Sequence, residues 1–327
     1  MKPTEDLSQD TAAVANSLAV MIEKELTTYT CNGYLDPHEP TIITADDRMT
    51  IVDWCYGVVD HCQFSREVVA DAMDMVDRFL SMPSITTDKA LRDTSHFQLL
   101  TITALYVAIK VNERVALSSD LLAEICRGVY TAEEIEDMER TLLNGLSWRC
   151  NAPTAYQVGL SILSLILPHT KCSEATWGFL MDEMKYLTEH AVRDYYFTTQ
   201  RASTIALAST FNAIGQIHGH ERQELLEALL CIVECFDFDE PMITVAAGKR
   251  LHLLTQQENH DVVAEEMMDS REASKNTEMI SLNRSRMRQA LSLYLREFEL
   301  HQEEGPKKSP RSVSQSSSLF LCGCRAA

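Results

Sequence analysis

The sequence predicts an all-α protein, and three features of it carry that prediction. Glycine and proline are scarce, with 11 and 9 among 327 residues. No segment clearly alternates apolar and polar residues, as a half-buried strand would. The stretch 97–113 is apolar on every side of a helical wheel, which is typical of a helix that other helices surround. The chain is long enough for two domains with a sizeable core.

Apolar spacing and start signals define the helices expected in the first half of the chain. Residues 1–10 are expected to be disordered, and a helix at about 10–28 follows. After two prolines, Asp46 or Asp47 is expected to cap the next helix. Thr131 with Glu134 forms a capping box before an apolar run. The first compact unit therefore contains five helices, at about 47–62, 65–81, 97–113, 119–127 and 132–148.

A second, looser series of helices follows a short linker. We expect them at about 155–167, 173–196, 200–217, 221–235 and 240–254. The third is rich in small residues, which allow other helices to approach it closely. After the fifth helix of this series, the sequence predicts a polar linker at 256–275, an amphipathic helix at 284–302 and a flexible serine-rich tail. The predicted organisation is an N-terminal segment, two units and a C-terminal extension, at 1–46, 47–150, 151–255 and 256–327.

Two charged residues stand on faces that are otherwise apolar. Lys110 is the one charged residue of the central stretch before its last position, and the helix dipole favours a cation there. Glu139 falls within the apolar stripe of the helix at 132–148. A carboxylate on a core-facing stripe is costly unless it is paired or reaches water at the stripe's edge. Lys110 is a candidate partner for Glu139, and the pattern alone leaves both alternatives open.

Four segments in register resemble the cyclin box. They are VDRFLS at 76–81, AIKVNE at 108–113, DMERTLLNGLSW at 137–148 and APT at 152–154. The resemblance covers residues 47–154. Two later segments, 186–197 and 203–209, are similar to the second box of cyclins. The resemblance implies two consecutive five-helix boxes and a helix before them.

The resemblance also implies a function and a site. The chain would be a non-catalytic regulatory subunit that binds and activates a cyclin-dependent protein kinase in cell-cycle control. Lys110 and Glu139 would meet at the surface that grips the kinase C-helix. Apolar side chains would flank them: Val107, Val111, Leu143 and Trp148. Asn112 stands where the family often has an acid, so some kinase contacts would differ.

A second site is implied on the first box helix, where cyclins bind short peptides of the Arg-x-Leu kind. The residues that fall on this groove are Arg48, Ile51, Trp54 and Gln98. The chain departs from the family at Asp47 and Thr50, where a methionine and an aliphatic residue are preferred. An acid at the rim would weaken the binding of a leucine side chain and favour a basic peptide.

Several classes of function are disfavoured by the sequence. It has no glycine-rich phosphate loop, HExxH or GxSxG motif, so we expect no enzyme and no cofactor. The ten cysteines form no CxxC pair, so no metal site is expected, and Cys231 and Cys235 are expected to pack inside. A net charge of −19 argues against nucleic acid or an anionic membrane as a partner. We expect an intracellular chain, in the nucleus, the cytoplasm or both.

The sequence is also compatible with two alternative functions, and it contains one candidate modification site. A cyclin-fold adaptor of the transcription-factor type would act without a kinase, but it should show a basic face and often a zinc ribbon. A kinase-free scaffold would keep the fold and lose the function of the Lys110–Glu139 pair. In the tail, Ser309 precedes Pro310 between basic residues, which makes it a candidate for phosphorylation by a proline-directed kinase.

Overall fold

The computed structural model describes residues 4–35, 41–114 and 117–261. All regular structure in these ranges is helical, which confirms the all-α prediction. The helices are α1 Thr4–Thr27, α2 Ala45–Cys62, α3 Glu67–Leu80, α4 Ile85–Arg92, α5 Thr94–Asn112, α6 Ser119–Ile125, α7 Ala132–Gly145, α8 Ala155–Ile166, α9 Glu174–Arg193, α10 Ala202–Gly215, α11 His220–Cys235 and α12 Pro241–Asp261.

Helix α5 is the centre of the first unit, as its all-round apolar sequence predicts. Its residues from Phe97 to Ile109 are buried apart from Gln98, and α3, α4 and α7 pack against it. Its two ends reach the surface: Thr94 and Ser95 in the first turn, and the last turn, which contains Lys110. The first unit therefore has a single apolar core built around one helix.

Three expectations about helix limits are wrong. The described residues of the first unit form six helices rather than five. The additional helix, α4, is short and buries only Thr87, Ala90 and Leu91, too few apolar residues for a periodic signal. Helix α2 is capped by Thr44, and Asp47 completes that capping box as its third helical residue. Helix α1 begins at Thr4 rather than near residue 10.

The second unit repeats the plan around α10, whose residues 203–215 are all buried. The N-terminal helix α1 packs on α8 of this unit, although the first unit follows it in sequence. Leu18 and Ile22 of α1 belong to the core of the second unit. The N-terminal helix is therefore part of the core of the second unit, although the whole first unit separates the two in sequence.

At the far end of the second unit two further expectations are wrong. Cys231 and Cys235 are exposed on α11 rather than packed inside. Helix α12 continues to Asp261, so residues 256–261 are helix and not linker. The expected linker beyond residue 261, the amphipathic helix at 284–302, the serine-rich tail and Ser309 lie outside the described residues.

A buried ion pair of the first unit also contacts the second unit. The Arg48 guanidinium donates to both carboxylate oxygens of Asp77, from Nε at 2.9 Å and from Nη2 at 2.6 Å. Its Nη1 donates to the backbone oxygen of Val192 in α9 at 2.7 Å. The Tyr34 hydroxyl also donates to Asp77, at 2.8 Å. This single cluster links α2, α3, α9 and the segment after α1.

We expect Arg48→Met to lower the free energy of unfolding by about 3–5 kcal/mol, because it leaves the buried Asp77 carboxylate without its cation. Replacing both partners, Arg48→Met with Asp77→Leu, should destabilise less than the sum of the single changes. Urea unfolding followed by circular dichroism measures both effects.

The matched control is Arg140→Met, which breaks an ion pair with Asp137 whose side chains are 72% and 69% exposed. Its effect should stay within about 0.5 kcal/mol. If Arg48→Met were as mild as this control, the buried cluster would not be what holds the units together.

Candidate functional site

Lys110 and Glu139 form an ion pair between α5 and α7. Lys110 lies in the last turn of α5, and Glu139 faces it from the middle of α7. The two side chains are 33% and 16% exposed. The Lys110 ammonium also lies 4.3 Å from the centre of the Tyr106 ring, one helical turn before it. Of the alternatives that the sequence left open, the structure therefore shows the pair.

The pair is open to one side and can make further contacts. An ammonium group has three donors and a carboxylate about four acceptor positions, so one mutual hydrogen bond leaves both groups unsaturated. Ion pairs that keep contact with water in this way contribute only modestly to stability on their own. The arrangement offers a donor and an acceptor, held side by side, to a partner that supplies both.

The apolar residues expected around the pair divide into two groups. Val111 and Trp148 are exposed, at 49% and 69%. Val107 and Leu143 are buried, at 2% and 8%, so the expectation that they supply exposed apolar surface is wrong. Their position in the apolar stripes of α5 and α7 places them in the core beneath the pair. The surface consists of the ion pair with Val111 and Trp148.

A strained turn after α7 presents Trp148. Ser147 and Trp148 both adopt left-handed backbone conformations, with φ of 51° and 62°, which non-glycine residues rarely do. The Trp148 N–H donates to the Leu143 carbonyl at 2.8 Å and closes the helix end. At Gly145 a Cβ atom would lie 2.6 Å from the Phe79 ring. This close contact fixes where the turn begins.

The four residues assigned to a peptide groove do not form a continuous exposed surface. Arg48 and Ile51 are buried, at 2% and 8%, whereas Trp54 and Gln98 are half-buried. The assignment of Arg48 to a groove is wrong, because its guanidinium is enclosed in the ion pair with Asp77. The Asp47 carboxylate accepts from the backbone N–H and the hydroxyl of Thr44. Peptide docking at Trp54 and Gln98 stays a prediction.

A cleft of about 380 Å³ lies between the two units, away from Lys110 and Glu139. Several charged groups on its walls pair with one another: Arg66 with Glu189, at 2.8 Å, and Arg201 with Glu25, at 2.9 Å. Burial raises the pKa of Glu25, although hydrogen bonds from Ser203 and Arg201 oppose the shift. These pairs serve to join the units and α1.

Among the described residues no group of three metal-ligating side chains could hold an ion. None of the helices described in the structure is both long and apolar enough to cross a membrane.

Sequence reasoning missed two residues of this region. Tyr106 underlies Lys110, and its spacing of four residues from Lys110 could have indicated the contact. Asp71 is buried in α3 next to the end of α5, at 3% exposure. It follows Val68 by three residues and precedes Met75 by four, so the helical wheel already places an acid on the core-facing side of α3.

Comparison with known proteins finds a matching family domain and several similar chains. Residues 16–151 match the cyclin N-terminal domain. The chain is 29% identical over 172 residues to human G2/mitotic-specific cyclin-B3. This alignment covers 53% of this chain and 11% of that protein. It is 31% identical over 159 residues to G2/mitotic-specific cyclin-2 of Medicago sativa, and this alignment covers 46% of each of the two chains. The chain thus matches less than half the length of either relative.

A solved structure shares the fold. The viral cyclin from herpesvirus saimiri superposes with a TM-score of 0.54 at 15% identity, over 75% of this chain and 97% of that one. The shared fold and the family match both agree with the resemblance of the four sequence segments to the cyclin box. Residues 16–151 thus match the cyclin N-terminal domain, in agreement with the segments that resemble the cyclin box.

We expect Gly145→Ala to lower the free energy of unfolding by about 1–3 kcal/mol, because the added methyl group would collide with the Phe79 ring in a packed core. The matched control is Gly178→Ala on α9, where a Cβ atom meets nothing within 4 Å. That change should stabilise by about 0.5–1 kcal/mol, since alanine favours a helix interior. Thermal unfolding of both variants tests the contact, and a stabilising effect of Gly145→Ala would contradict it.

Proposed function

We propose that this chain is a regulatory subunit that binds a cyclin-dependent serine/threonine protein kinase and activates it. The observation that carries the proposal is the Lys110–Glu139 pair, which the fold holds at a surface beside exposed Val111 and Trp148. The family resemblance assigns this pair to the kinase contact. The relatives named above as mitotic cyclins support a role in cell-cycle control for this chain as well.

The surface suits a helix as its partner. Lys110 can donate to carbonyl groups at a helix end, and Glu139 can accept from backbone N–H groups or basic side chains. Val111 and Trp148 are the apolar contacts, and their burial on binding would supply most of the non-directional affinity. Exposed apolar residues next to an unsaturated ion pair are the composition expected of a recognition surface.

Binding would act on the kinase through its C-helix. In protein kinases a glutamate of this helix pairs with the lysine that holds the ATP phosphates, and both must be in place for phosphoryl transfer. A rigid surface that presses on the helix shifts the equilibrium towards that arrangement. The chain itself would contribute no group to the chemistry, so its role would be non-catalytic.

We expect Lys110→Ala and Glu139→Ala to remain folded and to bind the kinase at least 30-fold more weakly. Losing one partner of a charge pair that becomes desolvated on binding costs about 2–5 kcal/mol, and 1.4 kcal/mol is a factor of ten. The tagged chain is first captured from its own cells, and the kinase bound to it is identified. The purified kinase is then titrated against the parent and against each variant.

Two further variants sharpen this test. Arg140→Ala removes an exposed ion pair from the same helix and should bind like the parent. The double exchange Lys110→Glu with Glu139→Lys keeps an ion pair but reverses its polarity towards the kinase, so it should fold and fail to bind. Unchanged binding by both single variants would refute the assignment, and loss of folding would make the pair structural.

A further inference from the structure

The buried acid Asp71 stands directly beneath the proposed kinase-binding surface. It lies in α3 at 3% exposure, and its Oδ2 accepts from Asn112 Nδ2 at 2.9 Å. Its other oxygen, Oδ1, has no hydrogen-bond partner. Asn112 is exposed at the end of α5, two residues after Lys110. Asp71 is therefore an incompletely satisfied buried acid that contacts a surface residue of the site.

The contacts of Asn112 determine which way its amide faces. Its Nδ2 donates to Asp71 and also to the Ala108 carbonyl, at 3.0 Å. Both acceptors require the NH₂ group, so both of its hydrogens point inward. The amide oxygen is the atom left for a partner. In the present arrangement Asn112 thus offers a kinase a hydrogen-bond acceptor, in the position where cyclins often have an acid.

The charges around Asp71 are mostly of the same sign. Glu67 and Asp74 lie one turn away on α3, and both raise the pKa of Asp71, together with burial as the largest cause, to about 7. The hydrogen bond from Asn112 opposes the shift. Asp74 is paired with Arg78, and Glu67 faces Lys185 and Glu189 of α9. Among the described residues no cation binds Asp71 itself.

We propose that Asp71 is a positioning residue for kinase binding, and that its protonation state decides whether Asn112 presents an acceptor or a donor at the surface. The inference rests on the proposed kinase-binding function. An ionised carboxylate can only accept hydrogen bonds, so it holds the NH₂ group of Asn112 inward. A protonated carboxyl group can also donate. It can therefore bond to the amide oxygen, and the amide can then turn its NH₂ group outward and give up the hydrogen bond to the Ala108 carbonyl.

The direction of the pH effect follows from this chemistry. Above about pH 7 Asp71 is mainly ionised, Asn112 presents its oxygen, and binding to donors on the kinase is strongest. Below this pH the acceptor is lost from part of the population. We expect binding to be about fivefold weaker at about pH 6 than at about pH 8, the effect of one neutral hydrogen bond.

The contribution of Asp71 to the free energy of unfolding changes with pH in the opposite direction to its contribution to binding. The pKa of Asp71 is higher in the folded state than in the unfolded chain, where it is near 3.9. Its contribution to stability is therefore greatest in acid and is lost as the pH rises from about 4 to about 7. Asp71→Asn should remove this pH-dependent loss. Binding and stability thus respond to Asp71 with opposite signs, which separates a positioning role from a merely structural one.

The first experiment follows the side chains directly in the full-length chain labelled with ¹⁵N-asparagine and ¹³C-aspartate. The Asn112 side-chain amide signals, assigned with Asn112→Ala, should shift with a midpoint near pH 7, in step with the Asp71 carboxyl carbon. In Asp71→Asn the Asn112 signals should not shift in this range. The exposed control Asp182→Asn should leave both titrations unchanged. An Asp71 that stays ionised to pH 5, or Asn112 signals that ignore it, would overturn the proposal.

The second experiment titrates the kinase captured above against the same proteins at about pH 6 and about pH 8. The parent should show the fivefold difference, and Asp71→Asn, which mimics the protonated acid, should bind weakly at both. Equal pH dependence in parent and Asp71→Asn would overturn the inference. If no kinase binds at either pH, the proposed function fails, and the resonance titration still decides whether Asp71 governs Asn112.

Discussion

The rest of the structure depends on the buried pair of Arg48 and Asp77. Burial by itself lowers the pKa of Arg48, but the Asp77 carboxylate reverses this and the net pKa is raised. Two parallel hydrogen bonds, a third to Val192 and the Tyr34 hydroxyl satisfy nearly every polar atom of the cluster. A buried pair is tolerated only with such geometry. Since its partners come from four segments, it fixes how the two units and the chain after α1 meet.

Helix α3 connects the buried Arg48–Asp77 pair to the surface where Lys110 and Glu139 lie. Asp77 binds Arg48, Phe79 packs against Gly145 at the end of α7, and Asp71 holds Asn112 at the end of α5. The Glu113 carboxylate also accepts from the Ser65 N–H before α3. Both helices that carry the ion pair of Lys110 and Glu139 are thus attached to α3. A rigid support of this kind keeps a binding surface in its productive geometry.

Sequence patterns predicted the parts of this arrangement that depend on one helix at a time. The buried α5 and the capping box at Thr131 follow from periodicity and local hydrogen bonding. The depth of a side chain depends on which neighbour covers it, and periodicity does not contain that information. Arg48 and Val107 are therefore more deeply buried than expected, while Cys231 is more exposed. The docking of α1 on the second unit is likewise a long-range contact that no local signal records.

The acids of α3 show why a local irregularity points to function. Asp74 and Asp77 each have a guanidinium partner, from Arg78 and Arg48. Asp71 is as buried as Asp77 and more buried than Asp74. It has only an amide as partner, so the fold would be more stable with an apolar residue there. Where local preferences conflict with the global fold, the conflict is expected at functional sites. Asp71 contacts the one helix end that carries Lys110, which is where a partner would sense its charge.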